Sequence, residues 1–305
     1  MRAAFLVASI SLAAPREDAV QLSWQAEALY DQSRFEAASA VYARVTPLLA
    51  TEFGPDHLRT RIATNNHAAA LLQLGRGADA ESILRDVLLR RETTQSPDDE
   101  TAAAAYNNLG EAFLLQEKIS AAVQTHQRAL DIRRQLSPDS AACAESLHNL
   151  GEALRRSGEQ TRAAKLLEEA TRLWRPSNSA PLMPGFAKSL NSLGLVLSAQ
   201  GEMAHAERAF LEALHVSEQA YGMRHEIPAS IHYNLAAHYQ KERNWTLAEH
   251  HCRSALNVYE LLPGYNDPKL AIMLEMHAQI LSHLAGRSGE AKGQRGRARA
   301  IRSLQ

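Results

Sequence analysis

The sequence predicts an all-α fold, an α-α superhelix of about seven helix-turn-helix repeats, and three observations carry that prediction. An amide-rich motif returns along the chain: "TNNHAAALLQLG" from Thr64, "YNNLGEAFLLQE" from Tyr106, "LHNLGEALRRSG" from Leu147, "LNSLGLVLSAQG" from Leu190 and "HYNLAAHYQKER" from His232. A turn position closes each repeat, at Ser33, Gly75, Glu117, Gly158, Gly201, Arg243 and Gly286, with separations of 42, 42, 41, 43, 42 and 43 residues. So regular a period marks a solenoid of supersecondary units whose loops absorb single insertions. Composition agrees: 45% of the 305 residues are hydrophobic but only 6% aromatic, which favours closely packed small-residue helices over sheets.

The first helix of each repeat, helix A, is read from the columns before the turn. Eight positions ahead stand Gln25, His67, Leu109, Leu150, Leu193, Leu235 and Ala278, followed by Ala26, Ala68, Gly110, Gly151, Gly194, Ala236 and Gln279. Four ahead are Leu29, Leu71, Phe113, Leu154, Leu197, Tyr239 and Ser282, so the two apolar columns lie one helical turn apart on one face. Helix B follows the turn. Five residues on, every repeat has alanine: Ala38, Ala80, Ala122, Ala163, Ala206, Ala248 and Ala291. A column that admits only a methyl group is where two helix backbones approach too closely for anything larger. Proline then separates helix B from the next helix A at Pro55, Pro97, Pro138 and Pro181. The linkers "RPSNSAPLMPG" and "LLPGYNDP" vary this pattern and are expected to be the longest exposed loops.

A leucine-glycine pair, an aromatic or leucine three positions on, a small turn residue and two spaced alanines together resemble the tetratricopeptide repeat. The 42-residue spacing and the "NNLG" entry are most similar to the kinesin-light-chain-type branch. The resemblance covers about residues 20–303 and implies one right-handed solenoid domain whose stacked A helices line a concave groove. Departures concentrate at the ends, at Gln25, Ala278, Gln279, Ser282 and Arg295, as expected of units with one face toward water.

In repeats of this kind that bind peptides, an asparagine at the matching position bonds the backbone of an extended ligand. Here the column nine before the turn holds Asn66, Asn108, Asn149 and Asn234, and its neighbour holds Asn65, Asn107 and Asn191. A carboxamide offers both a donor and an acceptor, which is what a peptide unit presents. The same amides also suit a scaffold role, bridging adjacent helices. Further along helix A, Glu111 and Glu152 stand at one level and Arg155, Arg156 and Lys241 at another, a pattern that selects a charged peptide or simply solvates the surface.

Catalytic and metal motifs are missing from the sequence. No two of the 13 histidines stand three or four apart on one predicted helix. "HEIPASIH" from His225 lacks the second histidine of a zinc-protease helix. There is neither a phosphate-cradling glycine loop nor a Gly-x-Ser-x-Gly elbow. Cys252 shares a packing column with Tyr42, Leu84, Leu167 and Phe210 and reads as a core residue, as does His67 in a leucine column. The expectation is a non-enzyme with no cofactor and no metal.

A net charge of -1 argues against a general nucleic-acid binder. The basic run Arg287, Lys292, Arg295, Arg297, Arg299 and Arg302 reads as the solvated face of the last helix. No apolar stretch reaches the roughly 18 residues of a membrane span. Residues 1–14 resemble a short secretory signal, with Arg2, an apolar run from Ala3 to Leu12 and the small-x-small order Ser11-Leu12-Ala13, so the expectation leans to export over a cytoplasmic location. The expected partner is a protein or peptide held in the groove. The alternatives are a peptide-sensing regulator and an assembly component that uses the convex face.

Overall fold

The computed structural model describes residues 18–94, 97–175, 184–261 and 268–303. The signal-like segment, Pro181 and most of the two variant linkers lie outside them. Among the described residues there are fourteen α-helices and no strand. Contacts divide the chain into two compact units that part between Lys118 and Ile119.

The first unit holds α1 (Ala19–Asp31), α2 (Phe35–Phe53), α3 (Leu58–Gln73), α4 (Gly77–Thr93) and α5 (Glu100–Leu115). Each helix packs on the next, and α3 also lies beside both α1 and α5. The second unit holds α6 (Ile119–Leu136), α7 (Ala141–Ser157), α8 (Gln160–Trp174), α9 (Pro184–Gln200), α10 (Met203–Tyr221), α11 (Glu226–Lys241), α12 (Trp245–Tyr259), α13 (Pro268–Ser282) and α14 (Ser288–Arg302). Its hairpins are α7 with α8, α9 with α10, α11 with α12 and α13 with α14, and α9 touches both α7 and α11. In each unit the A helices therefore lie side by side.

All seven turn residues are left-handed: φ is 59° at Ser33, 71° at Gly75, 58° at Glu117, 89° at Gly158, 83° at Gly201, 59° at Arg243 and 76° at Gly286. The backbone gives the reason. In six repeats the amide after the turn donates back to the carbonyl of the apolar column, as in Arg76 to Leu71, Glu159 to Leu154 and Asn244 to Tyr239, each at 2.9 Å. This bond closes the helix end and requires a left-handed residue just before the donor. Glycine adopts that conformation without strain, while Ser33, Glu117 and Arg243 hold it against their own Cβ. The starts of helix A are fixed by side chains: Asp18, His57, Asp99, Ser140 and His225 each accept a first-turn amide. Pro55, Pro97 and Pro138 all fall between helices.

All seven residues of the alanine column are 3% exposed or less. Ala206, fully buried on α10, tests that register. Ala206→Leu will cost about 1–3 kcal/mol by overpacking. An unchanged urea midpoint for this variant would mean that the column is assigned to the wrong face.

Candidate functional site

The amides in helix A meet across neighbouring repeats. In the first unit, Asn108 Nδ2 of α5 donates to Asn65 Oδ1 of α3 at 3.0 Å. The second unit repeats the arrangement, with Asn234 Nδ2 of α11 donating to Asn191 Oδ1 of α9 at 2.8 Å. Each pair uses one donor and one acceptor, so each asparagine keeps the complementary half of its carboxamide. Asn66 bonds the Tyr42 hydroxyl, which burial pushes up to about 12 despite that bond. Asn107 is buried, and Asn149 is half-buried on α7.

The two levels of charge expected along helix A are joined in α7. Arg155 grips Glu152 with two bonds, at 2.7 and 2.9 Å, and Arg156 adds a third at 3.3 Å. Burial works to raise the Glu152 carboxyl, but the Arg155 guanidinium, aided by Arg156, holds it below the usual carboxylate range. Ser192 occupies an amide column, and its hydroxyl donates to Glu152 at 3.4 Å instead. Lys241 also reaches between repeats, to Ser198 Oγ at 3.1 Å. Glu111 is half-buried on α5.

In the second unit these side chains border two open cavities along one face. A cavity of about 260 Å³ is walled by His148 and Glu152 of α7, Lys188 and Asn191 of α9, and Ile227 and Ser230 of α11. Next to it, one of about 280 Å³ is walled by Ser230, Tyr233 and Asn234 of α11 with Lys269, Ile272 and Met273 of α13. Ser230 borders both, so they form one track across four successive A helices. Its floor mixes exposed apolar surface, with Ile272 49% exposed, and hydrogen-bonding groups of both kinds. Burial lowers the His148 imidazole to about 4, with Glu152 pulling the other way, so at neutral pH it is uncharged and its Nδ1 lies 3.2 Å from Ser189 Oγ.

A family model described as tetratricopeptide repeat matches residues 59–135, 101–175 and 227–303, and a second of the same description matches 186–227. The chain belongs to the tetratricopeptide repeat family. Comparison with curated proteins gives no match. Among solved structures, this tetratricopeptide repeat chain is similar to BtubC (BKLC) from P. vanneervenii at 19% identity and TM-score 0.61, over 75% of this chain and 89% of that one. RapI in its apo form gives 12% identity and TM-score 0.68, over 94% and 77%. A putative kinesin light chain with TPR-like repeats from Podosopora anserina gives 18% and 0.56, over 68% and 96%. At these identities the likeness is one of fold.

Several residues that line this track in the tetratricopeptide repeat chain escape the motif columns. Lys188 and Ser230 stand three and four residues before Asn191 and Asn234, one turn back on the same helix face. Extending the amide columns by one turn toward the helix start would have found them. The expected core residues are placed as follows: Cys252 is fully buried, its thiol pushed up to about 12 by that burial, and His67 lies against the Tyr42 ring with centroids 6.4 Å apart. Both cysteines are free. No helix among the described residues is long and apolar enough to cross a membrane.

Proposed function

We propose that the protein is a non-catalytic interaction scaffold that holds an extended segment of a protein partner along the A-helix groove. The observation that carries this reading is the continuous track from α7 to α13, about 260 and 280 Å³ in its two parts. Amides, hydroxyls, exposed apolar surface and charges of both signs recur along it at the repeat spacing. An extended chain presents a backbone donor and acceptor at every residue, and each needs a partner on burial. Asn191 and Asn234 each retain half of a carboxamide after pairing with one another, enough to serve as clamp and ligand contact at once. The reading takes residues 20–303 as the repeat domain, and the family's use as protein-binding scaffolds supports it.

The test begins with a photo-crosslinking amino acid at Ile272, which identifies the partner in extracts of the source. Affinity of that partner is then measured for three variants. Asn191→Ala with Asn234→Ala will weaken binding about ten- to a hundredfold, as expected for the loss of one or two hydrogen bonds to a desolvated segment. Ile272→Glu will weaken it further, while Arg208→Glu on the exposed side of α10 will leave it unchanged. If the double asparagine variant loses thermal stability but binds normally, the amides are clamps alone. If Arg208→Glu abolishes binding and Ile272→Glu does not, the partner uses the convex face and the groove assignment falls.

A further inference from the structure

Each of the six B helices before α14 packs its stacking face against the A helix of the following repeat. Within the two units, the pairs are α2 with α3, α4 with α5, α6 with α7, α8 with α9, α10 with α11 and α12 with α13. The residue nine after the turn borders that face, and in α8 and α10 it also packs on the A helix of its own repeat, Leu167 on Gly151 and Phe210 on Gly194. It is buried in all six, as Tyr42, Leu84, His126, Leu167, Phe210 and Cys252. Three of these show the contact directly: Tyr42 lies on His67, Phe210 meets His238 edge-on, and the Cys252 thiol points at the Met273 carbonyl.

In α14 the same position is Arg295, and it is exposed. The rest of the face changes with it. Lys292, Arg299 and Arg302 stand at six, thirteen and sixteen after the turn and all three are exposed; in the other repeats thirteen is leucine or threonine, while six and sixteen vary between apolar and polar residues. Spacings of three and four place the four cations in one row along the helix. Arg302 bonds back to Glu275 of α13 at 2.7 Å. Lys292, Arg295 and Arg299 make no ion pair among the described residues. A merely solvated face needs no cation on every one of these positions.

The chain itself shows what meets a cation on this face. Sixteen after the turn, Arg91 of α4 is buried against Asp99 at the start of α5, and Arg133 of α6 is buried against Glu145 of α7 at 3.0 Å. Six after the turn the polarity runs the other way. Glu81 receives Gln116 and Lys118, Glu207 receives the Tyr239 hydroxyl, and Glu249 receives Arg287. Lys292 reverses that position, so a helix resembling this chain's own A helices would bring a donor to a donor. The covering element must be acidic at both levels.

We propose that the stacking face of α14 is a docking surface for an acidic amphipathic helix of a partner protein, seated where a following A helix would lie. Its carboxylates meet Lys292, Arg295 and Arg299. The surface uses none of the groove residues, so the two sites fail independently.

The full chain is titrated with a fluorescein-labelled synthetic helix of leucine, alanine and glutamate whose acids lie on one face. Two controls accompany it: a scrambled peptide of the same composition and a short duplex DNA. Saturable anisotropy is expected for the helix, at least about tenfold tighter than for either control and weakened by salt. The variant carrying Lys292→Glu, Arg295→Glu and Arg299→Glu, checked for unchanged helicity by circular dichroism, will lose that binding. Asn191→Ala with Asn234→Ala will keep it. Equal affinity for the scrambled peptide or the DNA would overturn the proposal, because any polyanion would then serve. So would no binding of the helix, or binding that survives the charge reversal.

Discussion

Replacing Asp99 by alanine will destabilise the first unit by about 3 kcal/mol, the low end of the cost of breaking a buried pair because Asp99 itself is partly open to solvent. One oxygen of this carboxylate accepts the Ala102 amide at 2.9 Å and the Thr101 hydroxyl at 2.6 Å, which caps α5. The other takes Arg61 of α3 at 2.7 Å and Arg91 of α4 at 3.4 Å. Three helices thus meet at one side chain. Without it Arg91, only 6% exposed, keeps a desolvated charge with no carboxylate. Asp99→Asn retains the cap and loses the charge, so its deficit relative to alanine isolates the cap, about 1 kcal/mol.

The same site sets a pH dependence. Burial alone would raise the Asp99 carboxyl, but the bonds from Thr101, Arg61 and Ala102 with the Arg91 charge hold it at about 2. An unfolded aspartate titrates near pH 4, roughly two units higher. Its contribution is therefore complete above about pH 4 and is lost as the pH falls through about 2. Urea midpoints of the wild type will drop over that window by more than those of Asp99→Asn. If Asp99→Ala unfolds within about 0.5 kcal/mol of the wild type, a surface-level effect, the carboxylate is not the tie between these helices.

Most of the fold was legible because the period forces each position to repeat one physical demand. The turn is the clearest case: in six repeats the carbonyl four before it takes the same bond, and all seven turn residues are left-handed even where the sequence has Ser33, Glu117 or Arg243. The alanine column was readable for a similar reason, since backbone proximity leaves room for one kind of side chain. Polar partners were harder. Asn108 and Asn65 are 43 residues apart, as are Asn234 and Asn191, and the columns do not say which amide turns toward which neighbour. Charge at two levels of helix A suggested selectivity for a ligand, but a carboxylate three and four residues from two arginines closes on them in α7. The parting of contacts between Lys118 and Ile119 falls at the third turn, beside Glu117, and nothing in the period sets that turn apart from the other six.

Phe210→Ala will cost about 3–5 kcal/mol, and the sign of a second substitution will show why glycine recurs in the leucine-glycine pair. Phe210 of α10 is 1% exposed and fills the space beside α9. A Cβ on Gly194 would stand 2.7 Å from two carbons of its ring, closer than any side chain tolerates. Gly151 faces Leu167 in the same way, at 2.8 Å. Where the B helix carries Cys252 the matching A-helix residue is Ala236, and Tyr42 and Leu84 also match alanines, Ala26 and Ala68, so the close approach belongs to the Gly151/Leu167 and Gly194/Phe210 pairs and not to the whole column. In the wild type, Gly194→Ala will destabilise by about 1–3 kcal/mol through overpacking. In the Phe210→Ala background the same change will stabilise by roughly 1 kcal/mol, because the clash is gone and alanine is the better helix former. Repeat proteins open unit by unit, so the readout is amide exchange in α9, α10 and α11 alongside urea unfolding. Additive effects would show that the glycine answers to something other than this ring. Inversion of sign would fix the α9/α10 contact as a matched pair, with the helix-weakening glycine retained to let the phenylalanine in.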